Sequence, residues 1–162
     1  MKRKIYLLCG PVRTGKTTRI MEWASSSEKI DGITSPLYMN QKHLYNLKTG
    51  VMKNLENVSE CDEEKIISVG SYKFNPDVFE WGRKKLNEAV NTNNTKWLVI
   101  DEIGLLELNG KGLEPEVSTI LKKRENYKFD ILLIVRESLV EDVMKKYNFT
   151  EDDLEDFTDH LI

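Results

Sequence analysis

The chain alternates short, unbroken apolar runs with longer stretches whose apolar positions recur at helical spacing. Lys4-Ile5-Tyr6-Leu7-Leu8-Cys9, Trp97-Leu98-Val99-Ile100-Asp101 and Ile131-Leu132-Leu133-Ile134-Val135 are continuous rather than alternating, as expected of parallel strands covered on both faces. Thr17 to Ala24, Pro76 to Val90, Pro115 to Glu125 and Ser138 to Tyr147 read as helices, the second capped by Asn75 with Pro76 at its first position. Gly32-Ile33-Thr34-Ser35-Pro36 predicts a short strand closed by a turn. Leu37-Tyr38-Met39 and His43-Leu44-Tyr45-Asn46-Leu47 predict a hairpin that ends at Thr49-Gly50. Residues 51–64 are polar and aperiodic, which predicts a surface connection, and Ile66-Ile67-Ser68-Val69 a brief strand. The acidic tail Glu151 to Asp159 predicts a solvated helix or frayed end, docked by Leu154 and Phe157. Alternating strands and helices over 162 residues predict one α/β domain, residues 1–162, with a mostly parallel central sheet and a small antiparallel hairpin insertion.

The join between the first strand and the first helix carries chemistry. Gly10-Pro11-Val12-Arg13-Thr14-Gly15-Lys16-Thr17-Thr18 fits the phosphate-loop (Walker A) pattern GxxxxGK[ST] at every constrained position. At average residue usage the pattern arises by accident about once in a few hundred chains of this length, and the strand-loop-helix context lowers that further. Such a loop points consecutive backbone N–H groups at phosphate oxygens, and glycines let the backbone approach closely. The helix beginning near Lys16 adds its positive dipole end. Lys16 is then expected to bridge the β and γ phosphates, and the Thr17 hydroxyl to ligate Mg2+. The expected ligand is a nucleoside triphosphate.

Asp101 and Glu102 close the second buried run, where an open α/β sheet places its ligands. Asp101 has the position of a Walker B aspartate that holds the magnesium shell, and Glu102 can orient and polarise a water attacking the γ phosphate. A further cation is wanted for the charge on the transferred group. Arg136, at the end of the third run, and Arg13, inside the loop, are the two candidates; a surface ion pair for the one and a solvent-pointing side chain for the other stay open beside those roles.

Charge and composition trim the alternatives. A formal net charge of −3 supplies no general basic field, so nucleic acid is not a favoured partner. Cys9 and Cys61 form neither a disulfide framework nor a zinc cluster, which suits reduced thiols in a cytoplasmic protein. The basic N-terminus leads into the phosphate loop rather than a signal sequence, and no segment reaches transmembrane length. His43 and His160 lack convergent ligands and read as surface histidines.

Taken with these motifs, Gly32 to Thr34, Val69-Gly70-Ser71-Tyr72 and Ile100 to Leu108 resemble the small P-loop nucleoside-triphosphatase family that includes the thermophile and cancer-related enzymes. The resemblance extends to about Val135. It implies a RecA-like three-layer sandwich and slow, magnesium-dependent hydrolysis of ATP, GTP and other triphosphates to diphosphate and phosphate, with Lys16, Thr17, Asp101 and Glu102 in the roles above. The chain departs from the family pattern at Arg13, commonly a glycine, and in lacking arginines in Ser35 to Leu47 and after Thr150. Two other readings stay open: a P-loop kinase of a nucleotide or small metabolite, and a nucleotide-controlled binding module with an unknown protein partner.

Overall fold

The computed structural model describes residues 4–10 and 15–161. In chain order, β1 (Ile5–Gly10) leads to α1 (Lys16–Ala24), then β2 (Ile30–Thr34), β3 (Leu37–Tyr38), β4 (Gln41–Asn46) and β5 (Met52–Asn54). A small pair, β6 (Ile67–Val69) and β7 (Tyr72–Phe74), precedes α2 (Pro76–Val90) and β8 (Trp97–Ile103). The short α3 (Leu105–Leu108) and α4 (Glu116–Lys122) lead to β9 (Asp130–Arg136), α5 (Val140–Lys146) and β10 (Leu154–Asp156).

The main sheet runs β10-β1-β9-β8-β2-β4-β3, with β5 on the other edge of β4; it is parallel from β10 to β2 and antiparallel beyond. The continuous apolar runs have the expected cause. Leu98, Ile100, Ile131, Leu133 and Val135 enter one core with residues of α2, α4 and α5, while Val99, Leu132 and Ile134 enter the opposite core with Ile20 and Ala24 of α1. Alternate side chains of one strand feed alternate layers, so both must be apolar. The result is a three-layer α/β sandwich.

Helix α2 starts where the sequence places it. The Asn75 side chain accepts the Asp77 N–H at 2.9 Å, and Pro76 needs no partner at the first position. Asn75→Ala is expected to cost about 1 kcal/mol, lowering the melting temperature by about 2–4 °C in differential scanning calorimetry.

Several expectations are corrected. The acidic tail is not a frayed end: Leu154–Asp156 pairs in parallel with β1, and Phe157 is 0% exposed among Tyr6, Trp23 and Trp97. Residues 51–64 are not only a surface connection, since β5 pairs with β4 and Leu55 is buried. His43 is buried rather than on the surface, its Nδ1 2.8 Å from the Gln41 carbonyl and its ring edge-on to Tyr38. The hairpin arms keep one register from Ile33↔Asn46 to Tyr38↔Gln41, so β2 and β3 form one broken arm against β4. Met39 and Asn40 turn it with positive φ, 50° and 63°, in the two-residue geometry that matches strand twist.

Candidate functional site

Three adjacent parallel strands end together. Gly10 at the end of β1 pairs with Arg136 at the end of β9, and Asp101 on β8 pairs with Ile134 on β9. The register slips between Asp101 and Ile103, which takes Glu102 out of the ladder at this edge. The sheet therefore brings Gly10, Asp101, Glu102 and Arg136 to one rim although they are distant in sequence.

Helix α1 completes the rim. Gly15 precedes it with φ 79°, a left-handed conformation that costs glycine nothing. The Lys16 ammonium donates to the Gly10 carbonyl at 3.1 Å, and the Thr17 hydroxyl donates to Asp101 Oδ2 at 2.7 Å. The Ser35 N–H, just past β2, donates to the same oxygen at 3.2 Å. Pro11, Val12, Arg13 and Thr14 lie outside the described residues.

Asp101 is buried, and its carboxyl is pushed up to about 7, first by burial and then by the neighbouring Glu102 charge. The Thr17 hydroxyl, the Ser35 N–H and Lys16 oppose that rise. Glu102 is half-buried between two cations: its Oε1 is 3.6 Å from Lys42 Nζ and 3.6 Å from Arg136 Nη2. Arg136 thus forms an ion pair, and its partner is the candidate catalytic carboxylate. Lys42 was not singled out by sequence. It is one of 24 Lys and Arg residues, and only the hairpin's fold over the strand ends gives it a role. It supplies a cation from a hairpin that has no arginine.

Between α1 and the hairpin lies a cleft of about 380 Å3, lined by Gly15, Lys16, Thr17, Thr18, Asp101 and Glu102, together with Lys42 and Arg136. Glu107, buried on α3, steadies the segment after β8: one carboxylate oxygen accepts the Gly104 N–H at 3.0 Å and the other the Leu113 N–H at 2.9 Å. Among the described residues no group of three or more His, Cys, Asp or Glu side chains could hold a metal, and no helix is long and apolar enough to cross a membrane.

No curated protein matches the chain significantly. Among solved structures, the crystal structure of THEP1 from the hyperthermophile Aquifex aeolicus is similar, with a TM-score of 0.69 and 19% identity over 94% of this chain and 87% of that one. That likeness identifies the architecture as the P-loop NTPase fold. The family model described as NTPase matches residues 5–155, nearly the whole chain. The chain belongs to this NTPase family.

Proposed function

We propose that the protein hydrolyses nucleoside 5′-triphosphates, ATP and GTP among them, to diphosphate and phosphate with a bound Mg2+. The observation that carries this reading is the Thr17 hydroxyl 2.7 Å from a buried Asp101 carboxylate, with Glu102 and Lys16 lining the same cleft. Family membership supports nucleoside triphosphatase chemistry in general.

The donor set fits magnesium. Thr17 and Asp101 offer hard oxygens, and Mg2+ characteristically takes one or two protein ligands, keeping waters and substrate phosphates for the rest. Thr17 and Asp101 would hold the ion; when bound it neutralises charge on the β and γ phosphates.

The chain's own groups do the remainder. The Gly10 to Thr18 loop, Val12, Arg13 and Thr14 included, would cradle the phosphates with backbone N–H groups, which Pro11 on the same loop does not have. Lys16 leaves the Gly10 carbonyl to meet the β and γ oxygens. Glu102 accepts a hydrogen bond from a water and aims its oxygen at the γ phosphorus. Arg136 and Lys42 fix Glu102 and face the charge gathered on the transferred group. This reading suits the cytoplasm, where triphosphate and magnesium are available.

The test is phosphate release from ATP, GTP, CTP and UTP, with nucleotide binding followed separately. Release in the presence of Mg2+ and its loss on chelation are expected. Tight binding with no release from any triphosphate would overturn the hydrolase and favour a nucleotide-controlled binding module.

A further inference from the structure

Glu102 borders a second concavity that hydrolysis does not use. A half-open cavity of about 320 Å3 lies on its other side, with walls that include Leu55, Phe74, Phe79 and Leu106. These side chains belong to the main core or pack on it, and protein interiors are otherwise close-packed. The cavity shares Asp101, Glu102, Lys42 and Arg136 with the phosphate cleft, so the two spaces meet at the candidate catalytic carboxylate. A reaction whose nucleophile is water has no need of apolar room there. A room of this size with a few polar groups gathered at one end has the form of a small-molecule site.

The lining defines the occupant. Its cations, Lys42 and Arg136, both stand 3.6 Å from Glu102 at the cleft end. Glu107 also reaches the wall, but each of its oxygens already accepts a backbone N–H. A nucleoside monophosphate would need cations for its own phosphate beyond the pair engaged with Glu102. An uncharged, mostly hydrocarbon or aromatic body needs none, and only a hydroxyl need reach Glu102.

We propose that this cavity is a phosphoacceptor site for a small, mostly apolar alcohol, which takes the γ-phosphoryl group in place of water. The inference rests on the placement of the triphosphate given under the proposed function. The alcohol oxygen bonds to the γ phosphorus as the bond from that phosphorus to the β–γ bridging oxygen breaks. The bridging electron pair leaves with the nucleoside diphosphate, the hydroxyl proton passes to Glu102 and on to solvent, and the product is a phosphate monoester.

The test uses the full chain with ATP and Mg2+ and compares benzyl alcohol, its methyl ether and glycerol, following phosphate, diphosphate and monoester by phosphorus NMR. Without alcohol, phosphate and ADP form in equal amounts. Benzyl alcohol is expected to lower the phosphate-to-ADP ratio by about twofold or more, with the balance recovered as benzyl phosphate. The ether, which has the body but no nucleophile, and glycerol, which has the nucleophile but no apolar body, are expected to leave the ratio at one. Val69→Trp and, in case that strand is perturbed, Ser71→Trp on the exposed tip between β6 and β7 place an indole at the cavity lining and are expected to return the benzyl alcohol ratio to one. Phosphate release with no benzyl phosphate overturns the acceptor site and leaves the hydrolase standing. Benzyl phosphate without phosphate release in the absence of alcohol supports the acceptor site and replaces the hydrolase with a kinase. Bound ATP with neither product overturns both, whereas benzyl phosphate formation that both tryptophan variants leave intact overturns the acceptor site alone.

Discussion

Glu102→Gln is expected to lower phosphate release by about 100-fold or more while ATP affinity stays within a few-fold of wild type. Glutamine preserves the length of the side chain and an acceptor oxygen, so the neighbours Lys42 and Arg136 keep something to approach. What it removes is the charge proposed to polarise the attacking water. The substitution also relieves Asp101 of an adjacent negative charge, the second contributor to its raised carboxyl, so loss of Mg2+ binding is not the expected cause of the defect. Single-turnover phosphate release beside equilibrium binding of a fluorescent ATP analogue separates the two. Release near the wild-type rate would remove Glu102 from the reaction and leave the rim as a binding site.

Gly32→Ala is expected to be the most damaging single substitution to the fold. Gly32 lies on β2 with φ 131°, and a Cβ built there would stand 2.1 Å from the Val99 carbonyl oxygen and 2.7 Å from its nitrogen. Both are backbone atoms of β8, so no side chain can swing aside. The ladder between β2 and β8 has to open, and with it the Leu47 N–H bond to the Gly32 carbonyl at 3.0 Å, which ties β2 to the end of β4. A loss above about 4 kcal/mol is expected. For a chain of this size that amounts to a fall of roughly 10 °C or more in melting temperature, or insoluble protein. Melting within a few degrees of wild type would show that the strands can separate at little cost.

The parts of the fold set by burial on two faces were legible in the sequence, because a strand buried twice has no polar positions to blur its pattern. The rim could be read for the same reason: Asp101 and Arg136 each end such a run, and GxxxxGK[ST] demands a strand before it and a helix after it. Features fixed by tertiary contact were not legible. Leu154-Glu155-Asp156 reads as solvated by charge, yet its backbone pairs with β1, and ladder hydrogen bonds depend little on side-chain charge. Met52-Lys53-Asn54 is too short and polar to show a period, and it becomes a strand only because β4 offers an open edge. His43 is buried by the folding of its hairpin. Lys42 and the apolar cavity arise where the hairpin, β7 and α3 converge, and no local pattern encodes a convergence.

The neighbours of β1 come from the far end of the chain: β9 begins at Asp130 and β10 at Leu154. During synthesis β1 therefore leaves the ribosome long before either of its partners, while the segment from α1 to β8 emerges in between. Closing so long a loop is slow. An apolar strand left waiting is a natural ligand for chaperones. The end of β1 that leads to the phosphate loop stays unladdered until β9 has emerged, which defers assembly of the rim until the strand that carries Arg136 is made.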